Sequence, residues 1–409
     1  MNVRFNDVRD WFFKKRYGLF IHWGIYAVDG WHEQMIYRGK LTRKEYVPKM
    51  FKFNPVGFNP DQWIDLAIEA GMEYLCFTTK HVDGFCMFNT KYTEFNIMNT
   101  PYMKDILKML ADACHRRNFP LCLYYSICDM NHINYPNQGR PYELPGPEQG
   151  DQPDQEKYLE FVRNQVIELC TNYGEIHGFW WDANIISHKD ESVNNLIRSL
   201  QPKAVINNRG FDEGDFGTPE REYDFYSHVD SDVSFKTPVE ACQAVGTESW
   251  GYRVDEDYYT NRYLMESIDK IMAKGGNYLL NVGPDQNGEI NKKSSDILLT
   301  IGNWLKKVKI SLYEVIPSSI LTTNRDVLIT KKENKLYIHL FKSPIKSSVY
   351  LPPISTLPKK AVLLNNMTSV KTSIDITPHT WNDEKRTLRL CDLPVNEFLN
   401  EVMVIELEF

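Results

Sequence analysis

No stretch of this 409-residue chain approaches the ~18 consecutive apolar residues of a membrane span. A long basic run is missing too, and the net charge is −7, so the electrostatic footprint of a nucleic-acid binder is absent. The eight cysteines, at 76, 86, 114, 122, 128, 170, 242 and 391, form no CxxC pair. Several lie inside apolar runs (YLCFTT, PLCLYYS) and read as free buried thiols of a reduced protein. The opening MNVRFNDVRDWFFKKRYG lacks the continuous apolar segment of a signal peptide and enters the fold directly, so a cytoplasmic location is expected, with a trimmed secreted chain as the alternative. GxGxxG is absent after the first strand, which weakens dinucleotide binding. The first strand offers HWG where a metal-dependent barrel hydrolase would show HxH, and no other close His, Cys or carboxylate pair has ligand spacing. No GxSxG elbow occurs, and no cysteine has an obvious histidine partner.

What is present is globular: 42% hydrophobic and 25% charged residues, enough for a sizeable core. The length suits a large domain plus a smaller one. To about residue 310 short apolar runs alternate with amphipathic stretches. Strands are expected at 18–24, 73–80, 120–126, 177–183, 204–209 and 277–283, with less certain ones near DFYSHV and ACQAVG. Helical spacing covers 59–72, 102–119, 156–174, 193–200 and 261–276, and a last helix begins near Lys292. Such alternation, with near-continuous apolar strands, predicts a parallel sheet covered by helices, and about eight units suit a (β/α)8-like TIM barrel over residues 1–311. From 312 to 409 short β runs separated by Pro, Asn and Lys clusters predict an all-β sandwich. Its aromatics, such as Tyr313, Tyr337 and Trp381, are as readily explained by core packing as by carbohydrate binding.

A parallel barrel gathers its active site at the C-terminal ends of its strands. Those ends deliver His22 and Trp23; Lys80, His81 and Asp83; Tyr124 and Tyr125; Asp182; Asn207, Asn208 and Arg209; and Asn281. Carboxylates, histidines and aromatics are the toolkit of glycosidic hydrolysis, which needs one carboxyl at the sugar's cationic centre and another to protonate the leaving oxygen. Asp182, ending the run GFWWD, suits the first role, because a carboxylate there is costly to bury without a partner or a chemical task. The second is sought in the polar loop 207–225, which holds Glu213, Glu220 and Glu222. The Pro-rich segment 129–155 reads either as a flexible surface loop or as a wall of the leaving-group side.

Seven pieces in order, YGLFIHWG, KH-DGF, LYYS, WWD, N-RG followed by GDF-TPE, ESWGY and GGNYLLNVGP, resemble the α-L-fucosidases of glycoside hydrolase family 29 over residues 10 to 310. The resemblance implies a retaining exo-α-L-fucosidase on a (β/α)8-like barrel with a C-terminal β sandwich and no metal or organic cofactor. It implies a fucosylated oligosaccharide or glycoconjugate as substrate, with neither nucleic acid nor membrane as partner, and leaves the oligomeric state open. Asp182 corresponds to the nucleophile. The acid/base corresponds to Glu220 of GDF-TPE, with Glu240 as second choice. Fucose hydroxyls are expected at His22, Glu33, His81, Tyr125 and Arg209, with Trp180 and Trp31 as apolar walls. Two departures bear on the strictness of fucose selection: Val82 stands where many members have a second histidine, and Glu33-Gln34-Met35 where many read EWY. A glycosidase of a related 6-deoxy or galacto-configured sugar, or an inactive sugar-binding relative, is the alternative.

Overall fold

A computed structural model describes residues 4–183, 189–220, 234–376 and 386–409. Seven strands form one parallel sheet: β1 (Tyr17–Ile21), β2 (Leu75–Lys80), β3 (Leu121–Ser126), β4 (Gly178–Asp182), β5 (Val205–Ile206), β6 (Glu240–Ala244) and β7 (Asn277–Val282), in the order β5-β4-β3-β2-β1-β7-β6. Every strand predicted as an apolar run is there, including the less certain one at ACQAVG; DFYSHV lies outside the described residues. Edge strands β5 and β6 do not pair with each other. Instead the segment 216–220 makes isolated parallel bridges to both, Phe216 with Asn207 on one side, Gly217 with Val239 and Glu220 with Cys242 on the other.

The six longer helices among the described residues each start at a residue whose side chain accepts a backbone N–H: Asn59, Asp105, Asp154, Asp190, Thr260 and Asn291. Such caps satisfy donors that the first helical turn leaves free, typically ~1 kcal/mol each. Their apolar stripes cover one face of the sheet, where Leu19, Ile21, Leu75, Phe77, Leu123, Tyr125, Phe179 and Trp181 are buried. The opposite, inner face carries a separate cluster of Phe20, Tyr74, Cys76, Cys122, Tyr124, Trp180, Cys242 and Leu279. This is the period-two alternation of a strand, so parity in sequence decides which face a side chain meets.

Beyond residue 315 the strands are antiparallel, in a six-stranded and a three-stranded sheet. Side chains from both, among them Ile329, Ile338, Leu388, Leu390 and Ile405, share one apolar core, as face-to-face sheets require. The other face of the larger sheet, with Leu328, Tyr337 and Val404, joins the core under the helices. Tyr337 is thus a packing residue; Trp381 lies outside the described residues. All eight cysteines are buried and unpaired. Among the described residues, no helix is long and apolar enough to cross a membrane.

Candidate active site

At the C-terminal ends of the strands a cavity of about 140 Å³ is lined by His22, Glu33, His81, Tyr124, Trp180, Asp182, Arg209, Glu220 and Trp250, with Val82 and Tyr142 among its other walls. A cavity of roughly 150 Å³ is known to take up one benzene ring, so this one has room for a single six-membered ring. Among the described residues, no group of three or more His, Cys, Asp or Glu is placed to hold a metal ion.

Asp182 ends β4 and points to the inner face. Tyr124 donates its hydroxyl to Oδ2 at 2.6 Å, and Arg209 donates from Nη1 to Oδ1 at 2.9 Å. Burial opposes the charge on Asp182, but Arg209 and the Tyr124 hydrogen bond outweigh it and hold the carboxyl below its usual range. Arg209 is aimed by its neighbours: Nε donates to Thr218 Oγ1 at 2.6 Å, Nη2 to the Thr218 carbonyl at 2.8 Å, and the guanidinium lies 4.9 Å over the Trp180 ring. The same Nη1 also donates to Glu220 Oε1, so one nitrogen joins the two carboxylates. Glu220 reaches that place because segment 216–220 runs between β5 and β6.

The opposite wall is histidine and glutamate. His22 Nδ1 lies 2.7 Å from Asn281 Oδ1, while the Asn281 amide donates to the Trp250 carbonyl at 2.7 Å. That second bond turns the amide oxygen towards the ring, so His22 carries its proton on Nδ1 and leaves Nε2 as an acceptor. Burial, reinforced by His81, pushes His22 down to about 3. Burial also lowers His81, against the pull of Glu33 and Asp182, and its ring stacks on Tyr124 at 14°. Glu33 is 1% exposed; its Oε2 accepts from Ser249 Oγ at 2.6 Å and from the Trp250 N–H at 3.0 Å. Burial opposes its charge, but His32 and His81 together with the Ser249 bond keep it below the ordinary glutamate range. Two buried atoms on this wall, Glu33 Oε1 and His81 Nδ1, have no hydrogen-bond partner among the described residues. Leaving such groups unpaired costs ~1–3 kcal/mol each, which a ligand with hydroxyls would recover.

The loop that carries His81 is locked from behind. Lys80 Nζ bonds Asp129 Oδ2 at 3.0 Å with both side chains buried. Asp83 accepts from Tyr46 Oη at 2.6 Å, and burial pushes it up to about 7. Gly84 sits at φ +84°, where a Cβ would lie 2.2 Å from Asp129 Oδ1, so the DGF sequence has no room for another residue there.

Three expected site residues are placed elsewhere. Tyr125 is turned to the helix face, fully buried, and donates to Gln165 Oε1 at 2.6 Å; Tyr124, in register with Trp180, faces the cavity. LYYS offers two tyrosines of opposite parity, and the inner face is the one shared with Trp180 and Asp182. Trp31 is 38% exposed and not among the lining side chains. Glu240 lies on the inner face beneath the cavity, 3% exposed, and does not line it. It accepts from Tyr74 Oη at 2.6 Å and from Trp180 Nε1 at 3.1 Å. Burial raises it to about 7, against the pull of those two bonds. Glu213 pairs with Lys189 at the surface, and Glu222 lies outside the described residues. The lining also includes Trp250, which sequence reasoning quoted in ESWGY without giving it a role, and Tyr142, which the Pro-rich loop concealed.

A family model described as alpha-L-fucosidase matches residues 2–309. The plasma alpha-L-fucosidase of Rattus norvegicus is 26% identical over 416 residues, 94% of this chain and 87% of its own length. Among solved structures, alpha-L-fucosidase isoenzyme 1 from Paenibacillus thiaminolyticus superposes with a TM-score of 0.83 at 30% identity, covering 98% of this chain and 99% of its own. The alpha-L-fucosidase of Vibrio sp. strain EJY3 gives 0.82 at 26% identity, covering 97% of this chain and 72% of its own. The match over three quarters of the sequence, with the Asp182–Arg209–Glu220 geometry beneath it, settles the family: this chain belongs to the α-L-fucosidases, glycoside hydrolase family 29.

Proposed function

We propose that the protein is a retaining exo-α-L-fucosidase that removes terminal α-L-fucose from fucosylated glycans by double displacement. One observation carries the reading: Asp182 and Glu220 accept from the same Arg209 nitrogen at the edge of a ring-sized cavity. A shared donor keeps two carboxyls within about two hydrogen-bond lengths, which supports the ~5–5.5 Å of retaining enzymes over the ~6.5–9.5 Å of inverting ones.

In the first step a carboxylate oxygen of Asp182 attacks the anomeric carbon, and the bond to the leaving oxygen breaks as that oxygen takes a proton from Glu220. In the second step Glu220 takes a proton from water, whose oxygen attacks the anomeric carbon and releases Asp182. Tyr124 and Arg209 keep Asp182 ionised for the attack. Glu33 Oε1, His22 Nε2 and His81 serve as ligands for the sugar hydroxyls, and Trp180 is the apolar wall. Tyr124 takes the place first expected of Tyr125. The bridges of 216–220 to both edge strands support closure into a (β/α)8-like barrel, with the C-terminal sandwich beginning near residue 312. Eight unpaired buried cysteines support a reducing, cytoplasmic setting.

Trapping with a 2-fluoro fucosyl donor, followed by peptide mapping, tests the assignment. The expected label lies on the peptide holding Asp182, and a label on any other residue overturns it.

A further inference from the structure

Tyr142, one of the lining residues, is 37% exposed, comparable to the 39% of the Glu220 side chain. It therefore stands where the cavity opens to solvent, on the side from which a bound sugar's substituent must leave. Its backbone is at φ +64°, the left-handed region that a bulky non-glycine residue occupies at a cost of about 1–3 kcal/mol.

That conformation is enforced by a buried knot. Glu143, 1% exposed, accepts at Oε1 from Tyr135 Oη at 2.7 Å. Its Oε2 accepts from the N–H groups of Gln138 at 3.0 Å and Arg140 at 3.1 Å, and from Arg140 Nε at 2.9 Å. Cys128 Sγ donates to the Tyr142 carbonyl at 2.7 Å, tying the strained residue to the end of β3. The segment is thus no slack loop. Five bonds fix one residue in an unfavourable conformation, and the side chain so presented is an aromatic ring at the cavity's open end. Strain that the surroundings over-determine in this way points to a binding role. Beside it stands Tyr37, half-exposed, its ring centroid 6.0 Å away and tilted by 53°. Tyr37 comes from the short helix Met35–Arg38, directly after Gln34, itself a lining residue.

We propose that Tyr142 and Tyr37 form the subsite for the sugar on the leaving-group side, stacking against the apolar face of a pyranose ring. The inference rests on the fucosidase reading and adds to it the two residues that recognise the second sugar and so favour fucose attached to a sugar over fucose on a small or ringless group. Two rigid rings with two side-chain torsions each lose little entropy on binding, and their polar hydroxyls can stay wet while the faces are covered.

The test compares kcat/KM for an α-L-fucosyl disaccharide with that for α-L-fucosyl fluoride, whose leaving group has no ring, in the wild type, Tyr142→Gly and Tyr37→Ala. Glycine takes φ +64° without strain, so Tyr142→Gly removes the ring while preserving the fold, and its Tm should not fall. The expected result is a drop of about tenfold in the disaccharide-to-fluoride ratio for Tyr142→Gly, and a smaller drop for Tyr37→Ala, as the loss of a stacked ring implies. An unchanged ratio in Tyr142→Gly overturns the subsite while leaving the fucosidase reading intact. A wild type that turns over neither substrate overturns both.

Discussion

Tyr124 and Asp182 lie on neighbouring strands with their side chains on the same face, and the tyrosine hydroxyl donates to the carboxylate at 2.6 Å. Arg209 takes the other oxygen, so each oxygen of the carboxylate has a side-chain donor and the group is held at a fixed angle to the cavity. A hydrogen bond to a charged group is worth ~1.5–3 kcal/mol. Tyr124→Phe should therefore lower kcat/KM by roughly 10- to 100-fold and move the acidic limb of the pH profile upwards, because Asp182 loses a bond that favours its ionised form. Tyr125→Phe, one residue on, should leave kcat/KM alone and lower Tm slightly by unpairing Gln165. If the two variants exchanged these phenotypes, the assignment of faces in β3 would be reversed.

Glu220 and Glu240 are told apart by where they stand. Glu220→Ala removes a carboxyl that lines the cavity and leaves space beside the anomeric carbon. Added azide should restore turnover of an activated aryl fucoside, since a small anion can enter and needs no base. Glu240→Ala opens a void beneath Trp180, sealed from the substrate, and azide should do nothing. Rescue of Glu240→Ala with none of Glu220→Ala would transfer the acid/base role.

Glu240 has a separate signature in stability. Its carboxyl is raised to about 7 by burial, from an ordinary 4.5. The folded state thus binds its proton more tightly than the unfolded chain does. The associated stability, roughly 3 kcal/mol, is fully present below pH ~4.5 and is lost as pH rises through about 7. In Glu240→Gln that dependence disappears. The difference in unfolding free energy between wild type and Glu240→Gln should therefore shift in favour of the variant from pH 5 to pH 8. A difference that stays flat would mean that Glu240 does not hold a proton in the fold.

Much of this fold is legible in the sequence because most of the parallel strands are buried along their length and read as apolar runs, β6 with its Glu240 and Gln243 being the weakest. The stretch 216–220 is not, because GTPE has no apolar period and is placed by bridges to both its neighbours. At the site, residues that end a strand were found, and those that depend on parity or depth were not. Tyr124 and Tyr125 differ by one position and nothing in LYYS says which faces inward. Glu240 opens β6, at the end of the strand away from the cavity mouth, and the tertiary arrangement puts it under Trp180. Tyr142 sits in a Pro-rich segment whose order comes from one buried glutamate, a contact with no local sequence pattern.

The Asn281 amide fixes His22 as a neutral ring with its proton on Nδ1. With the ring depressed to about 3, His22 should not titrate across the usual assay range. Asn281→Asp puts a carboxylate against Nδ1–H and favours the doubly protonated ring, which raises the histidine. Below its new pKa, Nε2 no longer accepts a bond from the substrate. The acidic limb of kcat/KM should move up by about one unit or more, and the histidine resonance followed by NMR should titrate with it. A wild-type profile in Asn281→Asp would show that His22 does not contact substrate through Nε2.

The two halves of the chain are joined by a buried polar contact, and its removal should be costly in one way and harmless in another. Asp269, on the helix Asn261–Ala273, lies 2.7 Å from His339 Nδ1 on the strand Lys335–Leu340, with neither side chain exposed. His339 Nε2 in turn meets Thr330 Oγ1 at 3.0 Å, and that hydroxyl donates to the Ser311 carbonyl at 2.7 Å. Asp269→Ala strands a buried ring nitrogen and opens space, for an expected loss of about 3 kcal/mol in denaturant unfolding. The pair is not efficient even when intact, because Asp269 Oδ2 has no partner among the described residues. Replacing both members with apolar residues of similar size, Asp269→Leu with His339→Phe, should therefore recover most of the loss, as removing both halves of a buried polar pair commonly does. A double variant as unstable as the sum of the two single ones would mean that the two side chains are not coupled and that the contact between them adds nothing to stability.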